Sequence, residues 1–208
     1  MSELNCLIFI SGNGSNLKNI LEKIDSGFLK NVFIHQVLSD NPSAGGLKYA
    51  EEKSIPVKII NEKYDYNNIS SDINQDGIDL IILAGYMKIL PKDFVNSHDG
   101  KIINLHPSLL PKHKGLNTHQ RAIQSGDDVH GASVHFVTDE LDDGPVFIQG
   151  LVEINETDTV KMLEEKVRNI EYQILPIAIR WISEKLVEKN GSNFKFRGML
   201  EVEPIKYL

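Results

Sequence analysis

The chain has 208 residues, of which 41% are hydrophobic and 25% are charged, proportions typical of a globular protein that buries a core. Its formal net charge of −7 argues against broad, charge-driven binding to nucleic acid or acidic membranes. The single cysteine, Cys6, excludes an intramolecular disulfide framework and favours a reducing compartment. The N-terminal residues resemble neither a signal peptide nor a membrane span, so we expect a cytoplasmic protein.

Apolar runs alternate with helix-like segments through the first half of the chain. The expected strands are 4–11, 32–39, 57–60 and 79–85, and the expected helices are 16–25, 45–53 and a short one in the polar segment before residue 79. Continuous apolar runs, in contrast to alternating ones, suit strands that helices cover on both faces. The sequence therefore predicts an α/β fold with a mostly parallel central sheet, helices on both faces and right-handed crossovers.

The second half of the chain predicts a different arrangement of elements. A short helix at 92–97 and a strand at 101–105 are followed by a helix at 118–126, strands at 131–137 and 145–154, a helix at about 159–188 and a terminal hairpin at 190–200. Pro176 should kink or split the long helix. A turn-rich acidic segment separates the two later strands, and we expect an antiparallel strand in this C-terminal part. We see no linker or repeat and expect one domain over 1–208.

The segment ISGNGSN, residues 10–16, lies where the first strand ends and the first helix begins. Gly12 and Gly14 allow the backbone to turn sharply, and the helix N-terminus directs N–H groups at whatever binds there, which suits a phosphate. The segment matches neither GxGxxG nor the P-loop. A tight turn capped by Ser15 or Asn16 is the structural alternative.

The segment KIINLHPSLLPKHKG ends a strand on Asn104 and His106, which alternation places on one face. Ligands of open α/β sheets gather at the carboxyl ends of strands, so these side chains should share an edge with Gly12. A buried structural histidine is the alternative. Pro107 and Pro111 restrict the loop, which suits a group that must be held in place.

Two further segments could contribute to a site. The acidic turn DELDDG could bring a carboxylate to His106 and favour its imidazolium, a better proton donor, although an exposed acidic turn is the commoner arrangement. Met87, Ile89 and Leu90 could form the wall of a pocket for a flat aromatic ring, with core packing as the alternative. The seven histidines match no metal-binding spacing, so we predict no metal site.

The segments ISGNGSN, LAGYMKIL, INLHPSLLPKHKG, HGASVHFVTDELDDGP and IEYQILPIAIRW span nearly the whole chain. Together, in this order, they resemble the folate-dependent formyltransferase family. HPSLLP followed by DxGP is a strong signal for that family, and SGNGSN is typical of a member that binds a ribonucleotide phosphate. The resemblance implies a Rossmann-like formyltransferase fold with a phosphate-binding half at about 1–100 and a folate-binding, catalytic half at about 101–208.

The resemblance also implies the reaction. The amine of glycinamide ribonucleotide would attack the formyl group of 10-formyltetrahydrofolate, in de novo purine biosynthesis, with no metal and no covalent enzyme intermediate. Asn104 and protonated His106 would stabilise the oxyanion, and Asp142 would keep the imidazolium charged and oriented. We expect small-molecule substrates only, no nucleic acid or membrane partner, and a monomer or homodimer.

The same resemblance assigns the two substrate sites. The ribonucleotide phosphate and ribose would contact Gly12, Asn13, Gly14, Ser15, Arg168 and Glu171. The folate would contact Met87, Lys88, Ile89, Leu90, Thr138, Asp139, Glu140 and Leu141. Many relatives carry an arginine for the acidic folate tail between the third strand and the LAG strand, whereas residues 61–77 here contain none, so Lys63 is assigned in its place.

Two local departures from the family pattern produce further expectations. Asp143 adds a carboxylate beside Asp142 and should increase charge repulsion there. Lys112, His113 and Lys114 make the loop after HPSLLP basic, a second attraction for phosphate or glutamate carboxylates.

Three alternatives stay open at this point. Methionyl-tRNA formyltransferase and formyltetrahydrofolate deformylase share the scaffold but normally carry a further domain, for which 208 residues leave little room. A phosphate-ligand sensor could keep the fold without the chemistry. It would be expected to have lost Asn104, His106 or Asp142, and all three are present.

Overall fold

The computed structural model describes residues 3–208, and the chain divides into two compact units. The first unit ends at Asn104, and the second comprises Leu105–Leu208. Among residues 3–208, no helix combines the length and the apolar character needed to cross a membrane.

The first unit is built on a parallel sheet. Its elements are β1 (Leu4–Ile10), α1 (Ser15–Asp25), β2 (Val32–Ser39), α2 (Leu47–Glu52), β3 (Val57–Ile59), α3 (Tyr66–Gln75), β4 (Leu80–Leu83), α4 (Lys92–Ser97) and β5 (Ile102–His106), whose last two residues belong to the second unit. The strands pair in parallel in the order β3-β2-β1-β4-β5. The predicted parallel sheet with intervening helices is therefore confirmed.

Burial explains why these segments form central strands. Residues 6–10 of β1 and all four residues of β4 are buried at successive positions, not at alternate ones. Consecutive burial means that both faces of the sheet are covered, as the continuous apolar runs indicated. Helix α1 buries Leu17, Ile20 and Leu21, which have the spacing of a single helix face.

The second unit contains antiparallel strands and the long helix. Its elements are α5 (Thr118–Gln124), β6 (Val129–Phe136), β7 (Val146–Glu153), α6 (Val160–Ser183), β8 (Val187–Asn190), β9 (Asn193–Phe196), β10 (Met199–Glu201) and β11 (Ile205–Tyr207). β6 and β7 are antiparallel, and β11 pairs with β7 in parallel. β8, β9 and β10 form a separate antiparallel sheet.

Three expectations about the C-terminal part need correction. Pro176 lies inside α6, which is one continuous helix, so the prediction of a split is wrong. Pro176 is buried, as are Leu175 and Ala178, and this packing offsets the lost backbone hydrogen bond. The helix ends at Ser183, not near residue 188, because 187–190 form β8. The expected hairpin is part of a three-stranded sheet, and β11 was not predicted because a three-residue strand shows no clear pattern of its own.

Helix α6 packs directly onto β7 at Gly150. A Cβ atom at this position would lie 2.3 Å from Cγ1 of Ile170 and 3.0 Å from Cγ2 of Ile174. Both isoleucines lie on the buried side of α6. The missing side chain therefore sets how closely the helix approaches the strand.

We predict that Gly150→Ala lowers the free energy of unfolding by about 1–3 kcal/mol, because the added methyl group overpacks the interface of α6 with β7. Chemical denaturation of both proteins measures the difference. Gly12→Ala is the control, because a Cβ there meets no atom within 4 Å. Equal losses in the two variants would contradict this account of the packing.

Candidate active site

An imidazole and a carboxylate meet in the second unit. His106 is the last residue of β5, and Asp142 lies in the turn between β6 and β7. The two atoms His106 Nδ1 and Asp142 Oδ2 are 3.4 Å apart, with side chains only 7% and 8% exposed. The structure therefore brings together two of the three predicted catalytic residues. Asn104 lies two residues before His106 on β5, so the two side chains leave the strand on one face.

The other ring nitrogen of His106 also has a protein contact. His106 Nε2 lies 3.1 Å from the backbone oxygen of His113. A carbonyl oxygen only accepts, so Nε2 carries a proton and donates it. If Nδ1 donates to Asp142, the ring holds two protons and is the imidazolium. This geometry suits the charged form that the family resemblance implies.

Asp142 is held by the loop that follows His106. The backbone N–H of Gly115 donates to Asp142 Oδ2 over 2.9 Å. Asp142 itself has a positive φ of 49°, a conformation that is uncommon outside glycine. The hydrogen bond from Gly115 helps to hold the turn in this conformation.

His135 is a second histidine near Asp142 that the sequence analysis missed. Its Nε2 lies 3.8 Å from Asp142 Oδ1, and its Nδ1 donates to the backbone oxygen of Phe136 over 2.9 Å. Burial lowers the pKa of His135 to about 4, although that carbonyl and Asp142 favour the charged form. His135 is therefore neutral near pH 7, and the charge of Asp142 interacts mainly with His106. A histidine inside the apolar run 131–137 was the available signal.

The basic loop is paired with carboxylates of the protein. His113 Nε2 lies 2.7 Å and Lys112 Nζ lies 2.9 Å from the two oxygens of Asp127. Lys114 pairs with Asp143, whose side chain is 57% exposed. The positive charges of this loop, which were expected to attract phosphate or glutamate, therefore already pair with carboxylates of the protein. Lys114 also offsets the expected repulsion between Asp143 and Asp142.

The turn predicted to bind phosphate lies in the first unit and connects the end of β1 to the start of α1, as the sequence indicated. Gly12 and Asn13 are exposed, and Gly14, with a φ of 66°, precedes the first residue of α1. A Cβ at Gly14 would lie 2.5 Å from the Cα of Gly46, so two backbone segments meet there without side chains. The first N–H groups of a helix have no intrahelical acceptor, and no acidic residue occupies the first turn of α1. The turn can therefore accept an anion.

Ser11 joins this turn to the loop predicted to bind folate. Its hydroxyl donates to Asp40 Oδ1 over 2.6 Å and accepts from the backbone N–H of Met87 over 2.9 Å. Met87 and Ile89 are 65% and 76% exposed, as a ligand-facing wall requires. Leu90 is only 7% exposed. Its side chain is buried, in agreement with the core packing that the sequence left as the alternative, and its contact with the folate stays a prediction.

The remaining predicted site residues are exposed or half-buried in the unit to which each belongs. Lys63 is exposed, and Lys88 lies 3.8 Å from Asp40. Thr138 is half-buried, and the following residues Asp139, Glu140 and Leu141 are exposed. Arg168 and Glu171 lie one turn apart on α6, where Arg168 pairs with Glu164.

Two other histidines contact each other. His119 Nδ1 lies 3.2 Å from His130 Nε2, and burial lowers the pKa of both rings, to about 4 for His130.

Across residues 3–208, no three His, Cys, Asp or Glu side chains are grouped so that they could hold a metal ion.

Comparison with known proteins identifies relatives along most of the chain. The sequence profile of the family described as formyl transferase matches residues 4–179. The phosphoribosylglycinamide formyltransferase of Haemophilus influenzae is 43% identical over 183 residues, which cover 85% of this chain and 86% of that protein. The Escherichia coli protein of the same name is 38% identical, with coverages of 87% and 88%. The solved structure of the phosphoribosylglycinamide formyltransferase of Coxiella burnetii in complex with CHES has a TM-score of 0.93 and 35% identity, and each chain is covered completely.

The pairing of Asp127 predicts how its contribution to stability depends on pH. His113 and then Lys112 hold the pKa of Asp127 below its usual value. The contribution is therefore complete above the unfolded-state pKa of about 4 and is lost as the pH falls through the lower folded-state pKa. The difference in unfolding free energy between the wild type and Asp127→Asn should be larger at pH 7 than below about pH 4, where it shrinks as Asp127 is protonated. Denaturation at several pH values measures it, and an undiminished difference at pH 3 would contradict the assignment.

Proposed function

This chain belongs to the formyl transferase family, and we propose that Asn104, His106 and Asp142 are its catalytic residues. It is an enzyme that transfers the formyl group of 10-formyltetrahydrofolate to the amine of glycinamide ribonucleotide. The products are formylglycinamide ribonucleotide and tetrahydrofolate, in de novo purine biosynthesis. The observation that supports the catalytic assignment best is the buried contact between His106 Nδ1 and Asp142 Oδ2.

The site first has to stabilise an oxyanion. When the amine attacks the formyl carbon, the carbonyl oxygen becomes an oxyanion of a tetrahedral intermediate. The amide of Asn104 donates to it, and the positive charge of His106 stabilises it from the same strand. Preorganised donors and charges of this kind are usually the largest contribution that an enzyme makes to acyl transfer.

The site then has to allow a proton transfer. The attacking amine has to lose a proton, and the leaving folate nitrogen has to gain one. Asp142 orients His106 and keeps its charge, since the neutral His135 does not compete for the carboxylate. The proton then passes from the amine to the leaving nitrogen through water, because both ring nitrogens of His106 already contact protein oxygens.

The two substrates use the remaining predicted residues. Gly12, Asn13, Gly14 and Ser15 hold the phosphate at the N-terminus of α1, where exposed N–H groups and the helix dipole favour an anion. Arg168 supports the phosphate, and Glu171 contacts the ribose hydroxyls.

The folate lies against exposed apolar side chains and backbone. In the first unit, Met87, Lys88 and Ile89 contact the pterin and Lys63 meets the acidic tail. In the second unit, the backbone of 138–141 contacts the folate. Leu90 supports this loop from the core. The enzyme works in the cytoplasm on small molecules alone, as a monomer or homodimer, without nucleic acid or membrane.

A formyl-transfer assay tests the catalytic residues. With both substrates present, Asn104→Ala and Asp142→Asn should lower kcat about 100-fold or more, because the first removes an oxyanion donor and the second removes the carboxylate that keeps His106 charged and oriented. The dissociation constant of the ribonucleotide should stay within about threefold, less than one well-made hydrogen bond contributes. Near-native turnover by Asp142→Asn would refute the role of Asp142.

Two controls sharpen this assay. Asp143→Asn makes the same charge change next to Asp142 on an exposed side chain, and it should leave kcat within about threefold of the wild type. Omitting the ribonucleotide separates transfer from hydrolysis: tetrahydrofolate released without it would identify water as the acceptor. No release with both substrates would favour a ligand sensor.

The phosphate site has its own test. Ser15→Ala should raise the KM for glycinamide ribonucleotide about tenfold, since a hydrogen bond to a charged group is typically worth 1.5–3 kcal/mol. The KM for the formyl-folate should not change. A selective increase in the folate KM would place the phosphate elsewhere.

A further inference from the structure

We infer that Asp127 and His113 are positioning residues for His106, acting through the backbone of the loop 112–115. The inference rests on the proposed function, because it takes His106 to be catalytic. Neither residue belongs to the substrate sites assigned above. Their contribution is the orientation of the imidazole ring.

The first link is the hydrogen bond from His106 Nε2 to the backbone oxygen of His113, 3.1 Å long. This bond determines which nitrogen of His106 carries a proton and prevents the ring from rotating about its Cβ–Cγ bond. With Asp142 on Nδ1, the ring is held at both nitrogens. The position of the His113 carbonyl oxygen depends on the backbone conformation of His113, so that conformation controls the orientation of the His106 ring.

The second link explains what holds His113. Its φ is 55°, in the left-handed region that is unfavourable for residues other than glycine. A residue stays in such a conformation when its surroundings enforce it. The side chain supplies the anchor, because His113 Nε2 lies 2.7 Å from Asp127 Oδ2 and the two side chains are only 10% and 12% exposed.

The third link is a set of contacts that fix the same loop. Lys112 Nζ reaches the second oxygen of Asp127 over 2.9 Å, and the hydroxyl of Ser108 donates to the backbone oxygen of Lys112 over 2.6 Å. Two residues after His113, the N–H of Gly115 donates to Asp142. The anchored loop therefore contacts both members of the catalytic pair through its backbone.

The inference makes a specific kinetic prediction. Asp127→Asn removes the charge that binds His113 and Lys112 but keeps the size of the side chain. A loosened loop misorients His106, which acts in the transition state, while the surfaces that bind the two substrates stay intact. We expect kcat to fall about tenfold, with both KM values within about twofold of the wild type.

The matched control is Asp128→Asn, which makes the same change at the next residue, whose side chain is exposed. It should leave kcat and both KM values unchanged. Assays are run where circular dichroism shows each variant to be folded. Unchanged kcat in Asp127→Asn would overturn the inference. So would an increase, because it would mean that the His113 carbonyl competes with the formyl oxygen for Nε2.

A double-mutant cycle tests the route through His113. If Asp127 acts through this side chain, His113→Ala lowers kcat by a similar factor and Asp127→Asn causes no further loss in that background. Additive losses would overturn the route.

Nitrogen NMR of the histidine rings gives a readout that does not need turnover. The Nε2 signal of His106 should report a protonated, hydrogen-bonded nitrogen in the wild type, move in Asp127→Asn and stay in place in Asp128→Asn. A wild type without transfer activity but with this pattern would mean that the proposed function is wrong. An active wild type with an unmoved signal in Asp127→Asn would mean that this inference is wrong.

Discussion

The candidate chemistry depends on the buried contact between His106 and Asp142. Burying a charged pair costs desolvation energy, which is recovered only when further hydrogen bonds satisfy the remaining polar atoms. The structure supplies two of them from one loop, a carbonyl oxygen for His106 Nε2 and the N–H of Gly115 for Asp142. The loop 112–115 therefore supplies the hydrogen bonds that offset the desolvation cost of the buried pair. Two of its residues, His113 and Gly115, have the positive φ angles of the left-handed region.

The first unit meets a different constraint, the close approach of two backbone segments. Gly14 and Gly46 face each other where any side chain would collide. Gly14 directly precedes the N-terminus of α1, and the Ser11 hydroxyl accepts a hydrogen bond from the backbone N–H of Met87. Both loops follow the carboxyl ends of neighbouring parallel strands, β1 and β4, the position where ligands of such sheets gather. The sheet thus places the turn that is predicted to bind phosphate beside the exposed loop at Met87.

Much of the fold could be predicted because periodicity is local. The strand at 32–39 and the helix at 92–97 lie where the pattern placed them, and consecutive apolar runs correctly indicated a parallel sheet. The continuous α6 and the strand β11 could not be predicted, because packing against β7 decides them. Leu90 shows the same limit at the site: an apolar residue in a loop can face a ligand or the core, and only the fold decides which.

The sequence by itself determined the order of the elements, the glycine turn and the residue types Asn104, His106 and Asp142, because motifs and periodicity are properties of neighbouring residues. The tertiary structure decided the charges around them. In the folded chain, Asp127 pairs with His113 and Lys112, and Lys114 pairs with Asp143. Burial keeps His135 neutral. These outcomes depend on distances between residues far apart in the chain and on the exclusion of water, and neither quantity is encoded in any local pattern.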